Sequence, residues 1–219
     1  MPAEIKSSLH IPVGDIVLPA ELIIPYEARG LVLFVHGSGS SRFSSRNMFV
    51  AERLRERLFG TLLFDLLTAK EDEVYSTRFD ISLLTQRLTE VTRWVEKYSL
   101  SKGLPLAYFG ASTGAAAALK AAAVFGDKIS AVVSRGGRPD LAMDVLPKVN
   151  SPVLLIVGSL DSDVITLNQM ALKKIGSNQK ELEIISGASH LFEESGKLER
   201  VASLAGDWFE EFVTSAVGV

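Results

Sequence analysis

The sequence predicts an α/β protein with a mostly parallel, doubly wound sheet and helices on both faces. Short apolar runs that suit strands alternate along the chain with segments of helical periodicity. The central runs, such as Leu31 to Val35 and Val153 to Val157, are apolar throughout, which is typical of strands buried on both faces. No repeat or Gly/Ser linker divides the 219 residues, so we expect a single domain over residues 1–219.

The elements follow from local patterns. Alternating apolar positions before residue 30 predict an antiparallel hairpin, residues 1–30, on the sheet edge. Residues 80–98 form the clearest helix, because apolar side chains recur there every three or four positions. We expect Gly60 to end the first helix and Asp163 to cap a later one. The other predicted strands are 31–35, 61–65, 105–109, 129–133, 152–157 and 181–185, and the helices are 45–58, 112–125, 163–175 and 198–214.

Composition excludes several classes of function. The net charge of −3 argues against a generic nucleic-acid binder. Because cysteine is absent, thiolate catalysis, disulfides and cysteine metal sites are excluded, and no His/Asp/Glu cluster has metal-ligand spacing. We therefore expect no metal and no cofactor. The longest apolar runs have five residues, as in Leu31 to Val35 and Val153 to Val157, far below the ~20 of a membrane span. No secretory-type segment follows Met1, so we expect a cytoplasmic protein without a membrane partner.

One motif points to a nucleophile. Gly110-Ala-Ser112-Thr-Gly114 matches the pattern G-x-S-x-G, lies directly after a predicted strand and opens a predicted helix. This placement is that of a nucleophile elbow, a turn so tight that the flanking positions need glycine. Ser112 would then lie at a helix N-terminus, where the dipole favours developing negative charge. The alternative is an ordinary serine N-cap.

A base and an acid follow later strands. His190 lies in a loop after the strand 181–185, and loops after parallel strands gather at the edge that carries Ser112. Asp161 follows the strand 152–157 and is the expected triad acid, with Asp163 as the alternative. A triad of Ser112, Asp161 and His190 in that chain order is expected of an α/β-hydrolase. A surface histidine without function is the alternative for His190.

The loop after the first central strand offers backbone donors. His36-Gly37-Ser38-Gly39 follows that strand, and we expect the N–H groups of Ser38 and Thr113 to form an oxyanion hole. A phosphate-binding loop is the competing interpretation, but the third glycine and the Lys-Ser/Thr pair of such fingerprints are missing.

Together these motifs resemble the α/β-hydrolase superfamily, and most closely its dienelactone-hydrolase-like branch of small esterases. The resemblance covers nearly all of the chain from Leu31 onward and rests on the segments 36–42, 110–114, 158–164 and 187–194. It implies the α/β-hydrolase fold. Dienelactone hydrolases are known for a cysteine nucleophile, whereas this chain has Ser112, which favours a general serine esterase.

The sequence indicates the substrate contacts less clearly than it indicates the triad. About 18 residues separate Ser134 from Pro152, where lids enter in this superfamily, so we expect no large lid and an open site. Arg42 and Arg135, with His36 and Gly37, are candidate contacts for a substrate anion. The alternative is that arginines such as Arg42, Arg46 and Arg138 pair with acids such as Asp65 and Asp140.

The sequence therefore predicts hydrolysis of small carboxylic esters through an acyl-serine intermediate. A thioesterase, an acyltransferase or a small amidase would use the same triad. A ligand receptor on the same fold would show a broken triad, and here Ser112, Asp161 and His190 are all present. The expected partner is a small-molecule ester, and the sequence also allows a homodimer.

Overall fold

An eight-stranded sheet organises the chain. The structure, a computed structural model, describes residues 4–213. The strands are β1 (Glu4–Val13), β2 (Ile16–Pro25), β3 (Gly30–Val35), β4 (Phe59–Phe64), β5 (Leu106–Ala111), β6 (Ile129–Arg135), β7 (Val153–Gly158) and β8 (Lys180–Ile185). The helices are α1 (Ser45–Glu56), α2 (Ala69–Glu73), α3 (Ile81–Val95), α4 (Thr113–Phe125), α5 (Ser162–Lys174) and α6 (Lys197–Phe212).

The strand order is β1-β2-β4-β3-β5-β6-β7-β8. The β1–β2 and β2–β4 pairs are antiparallel and the other five pairs are parallel. The predicted fold class is thus confirmed as a mostly parallel sheet with helices on both faces. Because β3 and β5 to β8 run in the same direction, the loops that follow them meet at one edge.

Alternate side chains of the central strands feed two cores. Leu31, Leu33 and Val35 of β3 join the core beneath α3, α4 and α5. Val32 and Phe34 face the opposite way and join the core beneath α1 and α6. Both faces of the strand are therefore apolar and buried, which explains the continuous apolar run in the sequence.

The end of the first helix differs from the prediction. The helix α1 stops at Glu56, and Leu58, with φ 65°, takes the left-handed conformation that we expected at Gly60. Gly60 lies inside β4, where an added Cβ would come within 3.2 Å of the Leu31 side chain. Close strand packing, and not helix termination, accounts for this glycine. The last predicted helix, 198–214, begins at Lys197, and its predicted end lies outside the described residues.

The connection between β6 and β7 stays short. Within the described residues it contains two single-turn 3₁₀ helices, Pro139–Ala142 and Leu146–Lys148, and no large additional domain. The carboxyl edge of the sheet is thus not covered by a multi-helix cap. No helix in residues 4–213 is long and apolar enough to cross a membrane.

Candidate active site

Ser112 occupies the turn between β5 and α4. Its backbone has φ 50° and ψ −121°, a strained conformation that residues with a side chain rarely adopt. A Cβ on Gly110 would come within 2.5 Å of Ala115 Cα, and one on Gly114 within 2.2 Å of the Val35 carbonyl oxygen. The flanking glycines therefore let the turn close, and the turn has the geometry expected of a nucleophile elbow.

The Ser112 hydroxyl is not used to cap the helix. Ser112 stands at the N-cap position of α4, but its side chain makes no capping hydrogen bond. Its backbone N–H donates to the Arg135 carbonyl at 3.2 Å, which fixes the turn to the end of β6. The positive N-terminal end of α4 thus lies beside a serine hydroxyl that makes no capping hydrogen bond to the helix.

Asp161 and His190 form a contact between two loops. Asp161 follows β7 and His190 follows β8, and the distance from His190 Nδ1 to Asp161 Oδ2 is 2.5 Å. Asp161 occupies the N-cap position of α5 without a capping bond, so its carboxylate remains available to the histidine. The prediction that Asp163 caps this helix is wrong, because Asp163 is exposed in the first turn.

Glu194 holds the histidine loop, and sequence reasoning did not identify it. Both of its carboxylate oxygens accept the Ser189 N–H at 3.1 Å. Hydrogen bonds from Ser189 lower the pKa of Glu194. On the other side the loop packs against Gly158, where a Cβ would come within 2.3 Å of the Ala188 carbonyl oxygen. These contacts position His190 at the sheet edge.

Ser112 and His190 line one pocket of about 240 Å³. Within residues 4–213 there is no direct hydrogen bond between the serine hydroxyl and the imidazole. In a ligand-free site such a bond is often long and forms only with substrate. A larger cavity of about 640 Å³ lies between Phe43, Met48 and Leu63, but it contains neither Ser112 nor His190.

The expected oxyanion donors lie side by side but are not both free. Thr113 is the first residue of α4, so its N–H has no acceptor within the helix. The Ser38 N–H, expected to be free, donates to the Thr113 hydroxyl at 2.9 Å. Gly37 brings this loop against the elbow, because a Cβ there would come within 3.0 Å of Ser112 Cβ.

His36 has a different role from the predicted substrate contact. Its Nε2 accepts the Leu66 N–H at 3.0 Å, and its Nδ1 lies 2.9 Å from the Gly37 carbonyl oxygen. Both ring nitrogens are therefore used by backbone groups. Burial lowers the pKa of His36, although the bond to Gly37 and the charges of Asp65 and Asp72 oppose this effect. A neutral imidazole holds the loop after β3 in place.

Three of the four candidate arginines pair with carboxylates. The salt bridges are Arg42 to Asp65, Arg46 to Glu193 at 2.9 Å, and Arg138 to Asp140 at 2.8 Å. The Arg42 guanidinium also stacks on Phe43, 4.0 Å from the ring centre, so it is not presented to the Ser112 pocket. Arg135, in contrast, is 7% exposed and lines that pocket. Among residues 4–213, no cluster of three His, Cys, Asp or Glu could hold a metal ion.

Comparison with known proteins identifies the family. The crystal structure of a dienelactone hydrolase from Anabaena variabilis is 49% identical to this chain and covers 95% of it and 98% of that chain, with a TM-score of 0.92. The chain belongs to the dienelactone-hydrolase-like family of α/β-hydrolases. A more distant neighbour of this chain is Est1E from Butyrivibrio proteoclasticus, with 18% identity, a TM-score of 0.79 and 93% and 98% coverage of the two chains. That likeness shows the shared fold alone. No protein-family model matches the chain.

The curated relatives are longer than this chain. Two Mycobacterium tuberculosis proteins, each named a putative phosphoribosyl transferase, are 51% identical over 201 residues. The match covers 92% of this chain and 45% of each relative. The chain thus spans about half the length of the curated relatives it matches.

Proposed function

We propose that this hydrolase cleaves small carboxylic esters through an acyl-Ser112 intermediate. The observation that carries the proposal is the 2.5 Å contact between Asp161 and His190, whose imidazole faces the same pocket as the strained Ser112 turn. The transferase activity in the name of the mycobacterial relatives is not part of the proposal, because the chain matches less than half of each of them.

Asp161 sets the tautomer of the base. Because the carboxylate accepts at Nδ1, the neutral imidazole carries its proton there and leaves Nε2 as the proton acceptor. Nε2 removes the Ser112 proton as Oγ attacks the ester carbonyl carbon, and Asp161 stabilises the imidazolium that forms. The imidazolium then returns the proton to the leaving alcohol oxygen as the C–O bond breaks. Water repeats the sequence on the acyl-enzyme and releases the acid.

The oxyanion is stabilised by two backbone donors, one at the start of α4 and one in the loop after β3. The Thr113 N–H points from the first turn of the helix, where the dipole adds to its effect. The Ser38 N–H supplies the second donor when it leaves the Thr113 hydroxyl for the substrate oxygen. A donor that is free before the substrate binds, such as the Thr113 N–H, is worth about 3–4 kcal/mol in the transition state. The Ser38 N–H contributes less, because it first gives up its bond to the Thr113 hydroxyl.

The uncovered edge favours short acyl chains. A pocket of about 240 Å³ holds a small acid or alcohol group, and the β6–β7 connection provides no cap for a long tail. Each CH₂ that is buried contributes about 0.8 kcal/mol, and a tail in water contributes none of it. We expect kcat/KM for p-nitrophenyl esters to be highest at about two to six acyl carbons by this argument. A profile that keeps rising to palmitate would contradict the open site.

A fluorophosphonate probe tests the central claim. The probe should modify Ser112 alone, because this serine combines a base with oxyanion donors, and Ser112→Ala should abolish both labelling and ester hydrolysis. Ser186→Ala, a change at an exposed serine of the His190 loop, is the matched control and should retain both. Labelling of another serine in an active Ser112→Ala variant would refute the assignment. Parallel assays with thioesters and amides distinguish an esterase from a thioesterase or an amidase.

A further inference from the structure

Asn168 is a buried amide in a stripe of α5 that is otherwise apolar. The residue is 0% exposed and lies between Val164 and Ala171 on the buried face of the helix. Asparagine is a poor helix former and is seldom fully buried, because its amide competes with the backbone for hydrogen bonds and loses water in a core. The contacts of the side chain explain why this residue type stands there.

The Asn168 amide binds a loop as well as its own helix. Its Nδ2 donates to the Val164 carbonyl at 2.8 Å, which is a local bond, and to the Gly137 carbonyl at 3.0 Å, 31 positions away. Because both neighbours are acceptors, the NH₂ group must face them. A Cβ on Gly137 would come within 2.0 Å of Ser134 Oγ, so the backbone is closely packed at this point. Asn168 therefore holds the loop after β6, residues 136–138, against α5.

The loop after β6 contacts two members of the proposed triad. The Arg138 N–H donates to the Ser112 carbonyl at 3.1 Å, and the Ser112 N–H donates to the carbonyl of Arg135, the residue before the loop. Gly136, with φ 51°, lies against the base, because a Cβ there would come within 3.5 Å of His190 Nδ1. The backbone of this loop thus touches both the nucleophile turn and the imidazole.

The helix that carries Asn168 also begins at the triad acid. Asp161 is the N-cap residue of α5, about two helical turns before Asn168. One helix therefore connects the Asp161–His190 pair to the loop that fixes the Ser112 turn. Asn168 itself does not line the pocket that contains Ser112 and His190. Alignment across such a connection matters, because a displacement of about 1 Å between reacting groups can cost about 100-fold in rate.

We propose that Asn168 is a positioning residue, which keeps the Ser112 turn aligned with the Asp161–His190 pair by holding the loop after β6. The proposal rests on the proposed ester hydrolysis and adds to it a residue that does not touch the substrate. Without the amide, the buried Gly137 carbonyl would lose a donor, and the loop would shift to replace it. Such a shift would move the Ser112 turn relative to the imidazole.

The variant Asn168→Leu tests the proposal, because it removes the amide at nearly unchanged volume. At a temperature where the variant is folded, kcat for p-nitrophenyl butyrate should fall about 10- to 100-fold, while KM stays within a few-fold. The rate of fluorophosphonate labelling at Ser112 should fall with kcat, because labelling needs the same alignment. A residue with a purely structural role would lower the urea midpoint and leave both rates per folded molecule unchanged.

Thr92→Val is the matched control. Thr92 is also 0% exposed within a helix, and its hydroxyl bonds one local carbonyl, that of Leu88 at 2.8 Å, and one distant group, the Tyr108 hydroxyl at 2.8 Å. The control should lose stability as Asn168→Leu does but keep the wild-type kcat, because Thr92 bonds neither the loop after β6 nor the triad. An equal loss of kcat in both variants, or wild-type kcat in Asn168→Leu, would overturn the proposal.

A second variant separates the two bonds of the amide. Asn168→Thr keeps a hydroxyl that can donate to the carbonyl one turn back, as Thr92 does, but this side chain is one bond shorter and does not reach Gly137. It should fold and show the same loss of kcat as Asn168→Leu. Wild-type kcat in Asn168→Thr, or failure of both variants to fold, would contradict the positioning role. A wild type that is not labelled at Ser112 would instead refute the proposed function, so the two failures are distinguishable.

Discussion

The loop after β3 (residues 36–44) and the loop after β8 (residues 186–196) each bring one histidine to the same edge of the sheet. In the first, His36 is 6% exposed and both ring nitrogens contact backbone groups. In the second, the His190 side chain is 39% exposed, and among residues 4–213 only its Nδ1 has a hydrogen-bond partner, Asp161. The free nitrogen, and not the position after a strand, distinguishes the candidate base from a structural histidine.

The most direct test of this comparison removes the His190 imidazole and with it the unbonded Nε2. His190→Ala should lower kcat for a short ester by a factor on the order of 10⁶, the loss expected when a hydrolase triad loses its base. The free energy of unfolding should change little, because the side chain is partly exposed and packs in a surface loop. Ester kinetics and urea unfolding of the same preparation check both statements. An active His190→Ala variant would remove the distinction between the two loops.

The second test concerns the carboxylate behind the base. Asp161→Asn should lower kcat by roughly 10⁴, since an amide at this position favours the wrong imidazole tautomer. Asp163→Asn is the matched control two residues away, and it should stay close to wild type because Asp163 is exposed and forms no hydrogen bond or ion pair with His190. Activity of the two variants on the same ester decides between them. A larger loss in Asp163→Asn would transfer the acid role to that residue.

The comparison also shows what sequence could predict. The sheet, the elbow at Ser112 and the placement of Asp161 and His190 follow from periodicity and from one rule, that loops after parallel strands share an edge. Side-chain direction does not follow from such rules. His36 and Arg42 come from the expected loop, but they bind Leu66 and Asp65, which lie in the loop after the neighbouring strand β4.

Side-chain contacts between residues far apart in the sequence could not be predicted either. Arg46 pairs with Glu193, 147 positions away, and no local pattern reports that contact. Glu71 completes a capping box with Thr68 and binds Arg87 at 2.8 Å. The spacing of Thr68 and Glu71 is the known signature of that cap and could have identified it. Arg135 differs from Arg42, Arg46 and Arg138 only through the carboxylates that pair with those three, and their sequence positions do not reveal these pairs.

The third prediction concerns stability and the structural histidine. Burial lowers the pKa of His36 below its ordinary value of 6.5, so the unfolded chain binds the proton more readily than the folded chain. The stabilising effect of the neutral ring is therefore present above pH 6.5 and is lost as the pH falls toward the lowered pKa. His36→Gln should reduce the free energy of unfolding at pH 7.5 by about 1–3 kcal/mol, because the Leu66 N–H loses its acceptor.

Urea unfolding between pH 7.5 and 5 checks the sign. The wild type should lose more stability over this interval than His36→Gln, which lacks the titrating ring. His10→Gln, at an exposed histidine of β1, is the control and should keep the wild-type pH dependence. A variant at position 36 with the full wild-type dependence would show that His36 is not the group responsible.

The smallest expected effect concerns the hydrogen bond that holds the loop after β3 beside the Ser112 turn. The Thr113 hydroxyl accepts the Ser38 N–H and so holds the β3 loop against the first turn of α4. Thr113→Val should lower kcat by about tenfold, less than the 10²–10³ lost with an oxyanion donor itself, because both N–H groups remain and only their alignment suffers. Thr113→Ser, which keeps the hydroxyl, is the matched control and should stay within a few-fold of wild type. A rise in kcat for Thr113→Val would show instead that freeing the Ser38 N–H matters more than the alignment that the hydroxyl provides.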